Sequence, residues 1–298
     1  MIERIFIPTV HRADNQITYN NLPDKYKKKV TMVIQAWELP QYNYSCDYLV
    51  LPDTQEYHFS DYFCLPKTRR FIYEAGKNMK YCIFDDDIQF GRRNMKYFGA
   101  SSNMETSKRF CTEDDIDDMF NQFDKWLDLP NVTVCGCSQV ENPPSGGLEQ
   151  ISFDEVASFR NNASMTSAYW INGNDFKDIL DDLDLTSVRV GEDVCFLLSL
   201  LTRGYGNRVS NEFVTYNHSN NNKKMKSTIW DQQTYEQTLK DHKYLEKLFP
   251  GIYNIIYDKE GNRMKGGYRD FGKSKIMWSK AYKTNAKSDT SLESFFND

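Results

Sequence analysis

One short segment limits more than any other what this chain of 298 residues can fold into. The run Tyr81-Cys82-Ile83-Phe84 is apolar, has the length of a buried β-strand, and ends abruptly in the carboxylates Asp85-Asp86-Asp87. In open α/β folds, ligands bind at the edge of the sheet that the carboxyl ends of the strands form. The segment therefore predicts an α/β fold with an acidic site at one edge of its sheet.

Apolar runs and amphipathic helical patterns alternate along the rest of the chain. Strands are predicted at residues 5–9, 30–36, 48–51, 81–84, 132–137 and 213–216. Helices are predicted at residues 67–76, 112–127, 175–183, 192–203 and 231–248, the second of them capped by Thr112. Strands that alternate with helices predict one mixed, mainly parallel sheet flanked by helices.

Composition excludes several classes of protein. Aromatic residues make up 14% of the chain, which is enough to build a core, so a disordered chain is excluded. No run approaches the roughly 20 consecutive apolar residues that cross a bilayer, and residues 1–10 turn polar too soon for a signal peptide. The sequence thus predicts a cytoplasmic protein without a membrane partner. Its seven cysteines, an odd number, are predicted to be reduced thiols.

The segment 259–283 is basic and rich in aromatic residues. It carries eight Lys and Arg against two acids, a balance of +6, which leaves −11 for the rest of the chain. Phosphates attract Lys and Arg, and rings can stack on bases, so this segment suits contact with a polyanion such as DNA. A solvated C-terminal region is the alternative. Residues 285–298 have the composition of a flexible tail.

The three aspartates after the predicted strand indicate a metal site. Asp85 and Asp87 are alternate residues, so their side chains are expected on the same side of the strand end. Two carboxylates can hold Mg²⁺ or Mn²⁺, and such a cation neutralises a diphosphate. An acidic turn is the alternative, but three consecutive aspartates repel one another unless a cation is present. The sequence therefore favours a divalent metal.

A second acidic pair, Glu192-Asp193, opens an apolar helical pattern. The helix dipole stabilises a carboxylate at this position, so simple capping is one explanation. The pair also belongs to an ordered set of motifs. The set consists of the strand with three aspartates, Tyr169-Trp170-Ile171-Asn172-Gly173, Glu192-Asp193, and the late histidine His218.

This ordered set resembles the GT-A glycosyltransferases over roughly residues 4–230. These nucleotide-sugar enzymes are built on one α/β sheet, with a DxD metal motif, an acidic pair that carries the general base, and a late histidine ligand. The resemblance implies a GT-A-like fold with a Rossmann-like nucleotide-binding half. It places the catalytic domain at residues 1–230 and a helical, basic extension packed on it at residues 231–298. It also implies that Asp85, Asp87 and His218 hold Mn²⁺ or Mg²⁺.

The same resemblance implies where a uridine-diphosphate sugar binds. In such enzymes the first strand and its loop, and the helix before the DxD strand, contact the nucleotide, while a Trp can stack on a sugar ring. The residues implied here are Pro8, Thr9, Arg12, Arg69, Asp85, Asp86 and Trp170. Two alternatives stay open: the arginines as exposed surface cations, and Trp170 as a core residue.

The implied chemistry is sugar transfer with inversion at the anomeric carbon. Either Asp193 or Glu192 would deprotonate an acceptor hydroxyl on the face opposite the leaving diphosphate. The sequence does not decide between them, because a small error in the helix boundary reverses their phase.

Three longer segments, IFIPTVHRADNQITYNNLP, YCIFDDDIQF and VGEDVCFLLSLLTRGY, resemble the TET/JBP-associated glycosyltransferases. These phage and kinetoplastid enzymes attach a sugar to hydroxymethylated pyrimidines in DNA. The resemblance implies double-stranded DNA with 5-hydroxymethylcytosine or 5-hydroxymethyluracil as the partner, in the cytoplasm of an infected host. The modified base would leave the stack and be received by aromatic residues such as Tyr169 or Trp170.

Other functions stay open from the sequence alone. A GT-A enzyme that acts on a polysaccharide, a protein or a small molecule is the first alternative. An inactive nucleotide-binding module is the second, and a metal-dependent nuclease or phosphatase is the third, since clustered aspartates can hold two metals. The sugar and the oligomeric state leave no readable signal.

Overall fold

The computed structural model describes residues 1–93, 108–140, 150–152, 155–156, 159–218, 235–257 and 274–282. Within these residues the chain forms one sheet of ten strands with helices on both faces, and two small two-stranded sheets. The predicted α/β class is therefore confirmed. No helix in the described ranges is long and apolar enough to cross a membrane.

The strands are labelled in chain order. The large sheet contains β1 (Arg4–Pro8), β2 (Val30–Ile34), β3 (Asp47–Val50), β4 (Lys80–Phe84), β5 (Ile88–Arg93), β6 (Lys108–Phe110), β7 (Val134–Gln139), β10 (Phe159–Asn161), β11 (Ala168–Asn172) and β12 (Asn207–Asn217). The small sheets pair β8 (Gln150–Ser152) with β9 (Glu155–Val156), and β13 (Tyr253–Ile255) with β14 (Ser274–Ile276). All six predicted strands belong to the large sheet.

The large sheet is mixed, and most of its strands run in one direction. Their order is β3-β2-β1-β4-β11-β7-β12-β5-β6, with β10 also paired to β12. The pairing directions show that β5, β10 and β11 run against the other seven strands. Because β11 lies between β4 and β7, a reversed strand interrupts the parallel part of the sheet.

Seven α-helices are described, also labelled in chain order. They are α1 (Ile17–Asn21), α2 (Asp24–Lys27), α3 (Cys64–Gly76), α4 (Glu113–Trp126), α5 (Glu192–Leu201), α6 (Tyr235–Leu248) and α7 (Trp278–Ala281). The predicted cap of α4 is confirmed, because Thr112 Oγ1 accepts from the amide of Asp115 while the Asp115 side chain accepts from the amide of Thr112 at 2.8 Å.

The helix predicted at residues 175–183 is wrong. This part of the chain forms two 3₁₀ segments, Gly173–Asp175 and Lys177–Asp182, which bury Leu180. The segment is too short for an α-helix to gain much over the cost of its first turn, and packing of a few apolar side chains on the sheet decides its shape instead.

The sheet separates two apolar cores, and alternate residues of its central strands enter opposite ones. On β11, Trp170 belongs to the core beneath α4, whereas Tyr169 and Ile171 belong to the core beneath α3 and α5. This alternation follows from the period of two along a β-strand.

The C-terminal part of the chain packs on the outer side of α5. Leu245, Phe249 and Tyr253 form a third apolar cluster with Cys195 and Leu198 of that helix. The basic segment 259–283 is described only at residues 274–282, so most of its predicted role lies outside the described residues. The predicted tail at residues 285–298 also lies outside them.

Candidate active site

The three aspartates lie at the carboxyl end of β4, as predicted, and line a cleft with a volume of about 450 Å³. The cleft is bounded by the end of β1, the first half of α3, the start of β11 and the turn that leads into α5. Residues far apart in the sequence therefore meet at one edge of the sheet. The predicted site residues that line it are Pro8, Thr9, Arg12, Arg69, Asp85, Asp86, Asp87, Glu192 and Asp193.

Asp86 is buried against the loop that follows β1. One of its carboxylate oxygens accepts from Thr9 Oγ1 at 2.6 Å, and the other accepts from Arg12 Nη1. Gln16 Nε2 in turn donates to Thr9 Oγ1 at 2.7 Å. The same Arg12 nitrogen lies 3.3 Å from Asp87 Oδ2. Arg12 thus joins the first loop of the protein to two of the three aspartates and is not a free surface cation.

Asp85 pairs with the second predicted arginine. Arg69 Nη2 donates to Asp85 Oδ1 at 2.6 Å, while the amide of Asp85 donates to the carbonyl of Ser167 at 2.8 Å. Arg69 is only 8% exposed, and its guanidinium carbon lies 5.8 Å from the ring centre of Tyr169. Its Nη1 is buried and has no hydrogen-bond partner among the described residues. A cleft-lining cation therefore keeps one unsatisfied donor.

The acidic pair enters the cleft from the first turn of α5. Gly191, just before the helix, has φ of +84°, a conformation that a glycine adopts at little cost. The amide of Val194 donates to Asp193 Oδ1 at 2.8 Å, and this contact favours the ionised form of Asp193. The turn and the helix end together place Glu192 and Asp193 beside Arg69, which interacts electrostatically with both acidic groups.

The cleft holds more acids than bases. Its lining includes five carboxylates against three guanidinium groups, those of Arg12, Arg69 and Arg189, so full ionisation leaves an excess of two negative charges. Burial raises the pKa of Asp86 to about 7, although Arg12 acts in the opposite direction. Burial also raises the pKa of Glu192 and Asp193. The site is therefore short of positive charge.

This excess is what a divalent cation would compensate. Asp85 and Asp87 both line the cleft, and hard oxygen donors suit Mg²⁺ or Mn²⁺, which commonly take one or two carboxylates and complete their shell with substrate phosphates and water. The two residues thus fit such a cation. In the part of the chain that the structure describes, no three His, Cys, Asp or Glu side chains are gathered as an all-protein metal site.

The backbone of His218, the third predicted metal ligand, lies beside that of Asp87, but its side chain does not line the cleft. Its amide donates to the carbonyl of Asp87 at 3.0 Å, because β12 ends beside β5. Its ring nitrogen Nε2 lies 3.2 Å from Gln89 Oε1, and the neighbouring Asn217 lines the cleft in its place. The structure therefore does not bring the His218 ring together with Asp85 and Asp87.

The assignment of Trp170 to the nucleotide-sugar site is corrected. Trp170 lies on strand β11 and is fully buried in the core beneath α4. Its ring centre lies 4.6 Å from that of Phe123 and 4.8 Å from that of Phe84. The adjacent Tyr169 faces the other side of the sheet and lines the cleft. Because side chains alternate along the strand, Tyr169 and not Trp170 is the aromatic residue of this strand that borders the cleft.

Replacing Trp170 by Ala is expected to lower the free energy of unfolding by about 3–5 kcal/mol, because it removes a fully buried ring from an aromatic cluster. Trp37, 39% exposed, is the matched control, and its replacement by Ala is expected to cost less than about 1 kcal/mol. Urea unfolding measures both values. A Trp170→Phe variant of wild-type stability that bound UDP more weakly would contradict the core assignment.

Several cleft residues were not predicted from the sequence, although some had a usable signal. Gln35 directly follows β2 and lines the cleft. Ligands bind at the carboxyl ends of strands in such sheets, so its position, like that of Asp85 after β4, was a usable signal. Arg189 lies three residues before Glu192, so a cation beside the acidic pair was visible in the sequence. Ser167 and Asn217 had no such signal, because they reach this edge only through the pairing of β11 with β4 and of β12 with β7.

Comparison with known proteins does not assign this chain to a family. A scan against models of protein families finds no match. A search of the curated proteins likewise finds no match. Function is therefore inferred from the cleft and from the motifs that line it.

Proposed function

We propose that the protein is a metal-dependent, inverting glycosyltransferase that moves a sugar from a uridine-diphosphate sugar to the hydroxymethyl group of a modified pyrimidine in phage DNA. One observation carries the proposal. Asp85-Asp86-Asp87 and Glu192-Asp193, about a hundred residues apart in the sequence, line the same cleft at the carboxyl edge of an α/β sheet. The order of these motifs is that of the GT-A enzymes.

The donor side of the cleft is formed by the first loop and by α3. Pro8 ends β1, Thr9 follows it and donates to Asp86, and Arg12 binds two of the aspartates. The unsatisfied Nη1 of Arg69 is a donor that a phosphate oxygen would satisfy. These groups suit the uridine and the diphosphate of a nucleotide sugar.

Asp85 and Asp87 would hold the divalent cation in this proposal. When bound, such a cation neutralises charge that develops on the departing diphosphate. Arg12 and Arg69 lie beside these carboxylates and supply fixed positive charge for the same leaving group. The cleft can therefore stabilise the product diphosphate from two sides.

Asp193 is assigned as the general base. Burial raises the pKa of both acids, but only Asp193 is shown accepting a hydrogen bond from the Val194 amide, at 2.8 Å, a contact that favours its ionised form. The assignment of the base rests on this contact. A base on one face of the sugar and a leaving diphosphate on the other give inversion in a single displacement.

The DNA acceptor is supported by the resemblance to the TET/JBP-associated enzymes and by the basic, aromatic segment 259–283. A protein that neutralises several phosphates with Lys and Arg loses affinity steeply as salt is raised. A transferase for polysaccharide, protein or small molecules predicts no such duplex binding. Salt dependence of duplex binding thus separates the acceptor classes.

Incubation with hydroxymethylcytosine and hydroxymethyluracil duplexes, Mn²⁺ and a pool of uridine-diphosphate sugars is expected to add a hexose or a pentose to the modified nucleoside. Mass spectrometry of the digested nucleosides measures the increment, and an unmodified duplex is the control. Donor turnover without a mass increment on either duplex would show that these DNA duplexes are not the acceptor. UDP binding without any turnover would indicate a binding module in place of an enzyme.

A further inference from the structure

One buried carboxylate outside the cleft contacts two segments that border the cleft, the one before α3 and the one before α5. Asp241 lies on α6, is 2% exposed, and does not line the cleft. One of its oxygens, Oδ2, accepts three hydrogen bonds, from the amide of Arg189 at 3.2 Å, the amide of Val190 at 2.9 Å and the hydroxyl of Tyr62 at 2.8 Å.

The first two contacts fix the turn that leads into α5. Arg189, Val190 and Gly191 line the cleft immediately before Glu192. One helical turn after Asp241, Leu245 packs on the same turn, since a Cβ at Gly191 would lie 3.1 Å from its Cδ1. One face of α6 therefore determines where the first turn of α5 begins.

The third contact reaches the opposite wall. Tyr62 lies two residues before α3, the helix whose first half lines the cleft and carries Arg69. The Arg189 guanidinium also lies 4.8 Å from the Tyr62 ring centre, so Asp241, Tyr62 and Arg189 form one connected group. This group joins the segment before α3 to the segment before α5.

We propose that Asp241 is a positioning residue, which holds the Arg189–Gly191 turn so that Glu192 and Asp193 face the donor side of the cleft. The kinetic part of this inference rests on the glycosyl transfer proposed above. The structural part does not, because the hydrogen bonds to the Arg189 and Val190 amides exist whatever the reaction is.

Asp241→Ala is expected to lower kcat by about 10–100-fold with little change in the KM of the donor, since a small misplacement of a reacting group costs this much while the donor contacts stay in place. Asp241→Asn is expected to recover most of the rate, because an amide oxygen still accepts from both backbone amides. Tyr62→Phe is expected to fall between Asp241→Asn and Asp241→Ala. Glu236→Gln, an exposed acid on the same helix, is the matched control and is expected to change nothing.

Hydrogen exchange supplies a readout that does not need transfer activity. In Asp241→Ala, amide exchange in residues 186–196 is expected to accelerate about tenfold or more relative to wild type and Glu236→Gln, while β1 and β4 stay protected. Unchanged exchange in a folded Asp241→Ala protein would overturn the proposal, and so would faster exchange with an unchanged kcat. A wild-type protein without transferase activity would refute the proposed function, and the exchange result would still decide the role of Asp241.

Discussion

Replacing Asp193 by Asn is expected to lower the rate of sugar transfer by about 10³-fold, because general base catalysis is worth that order and an amide cannot accept the acceptor's proton. The variant is expected to keep its fold, since the asparagine oxygen can still accept from the Val194 amide. Its affinity for UDP should stay within about twofold of wild type, because the base contacts the acceptor and not the nucleotide. Single-turnover kinetics and calorimetry with UDP measure the two quantities.

Glu192→Gln is the matched variant, one residue away on the same helix and in the same cleft. It is expected to reduce the rate much less than Asp193→Asn does, because the proposal assigns the base to Asp193, whose carboxylate accepts the Val194 amide. A pure, folded Asp193→Asn protein with wild-type turnover would refute the assignment of the base. A larger loss in Glu192→Gln would transfer that role to Glu192.

The second large effect is expected for Asp87→Asn, which should raise the Mn²⁺ concentration for half-maximal activity by about 100-fold. In the proposed site, loss of one of the two carboxylate ligands would leave Asp85 alone to bind the cation with the donor phosphates. Even changes in the groups that orient metal ligands commonly cost about 10–100-fold in metal affinity. The measurement is transfer rate against Mn²⁺ concentration, together with calorimetry of Mn²⁺ binding in the presence of UDP.

Asp86→Asn serves as the contrast, since Asp86 is held by Thr9 and Arg12 and anchors the loop after β1. It is expected to lower the free energy of unfolding by about 1–3 kcal/mol, because a buried charged hydrogen-bond pair loses one partner. Its half-maximal Mn²⁺ concentration should change less than that of Asp87→Asn. Equal metal dependence in wild type and Asp87→Asn would exclude Asp87 as a ligand.

The parts of the fold that the sequence predicts best are those with a strong local signal. Apolar runs identify β1, β2 and β4, and the acidic first turn with Thr112 identifies α4. β5 was missed for a different reason. Its sequence, IQFGRR, is too polar for a typical buried strand, and it is held in the sheet by the pairing of residues 88–92 with β12. Long-range pairing of this kind is invisible to a local pattern.

The candidate site also contains some residues with a local sequence signal and others that only long-range contacts bring into place. The motifs after β4 and in the first turn of α5 carry their own local signature, and the structure brings both to one cleft. Trp170 was assigned to the cleft, although its neighbour Tyr169 is the residue that lines it. Successive side chains of a strand point to opposite faces of the sheet, and the sequence does not show which face borders the cleft. The contact of Asp241 with Tyr62 spans 179 residues and has no signature in either segment.

The reversed strand β11 has a consequence for how such a protein can change over evolution. Strands β1 to β4 and α3 lie on one side of it, with Arg12, Arg69 and the three aspartates, while β7 and β12 lie on the other side and contribute Gln139 and Asn217 to the cleft. The two halves meet mainly through the pairing of β11 with β4 and β7. Insertions after β7 or β12 can therefore reshape one half of the cleft for a new target while the other half is inherited unchanged.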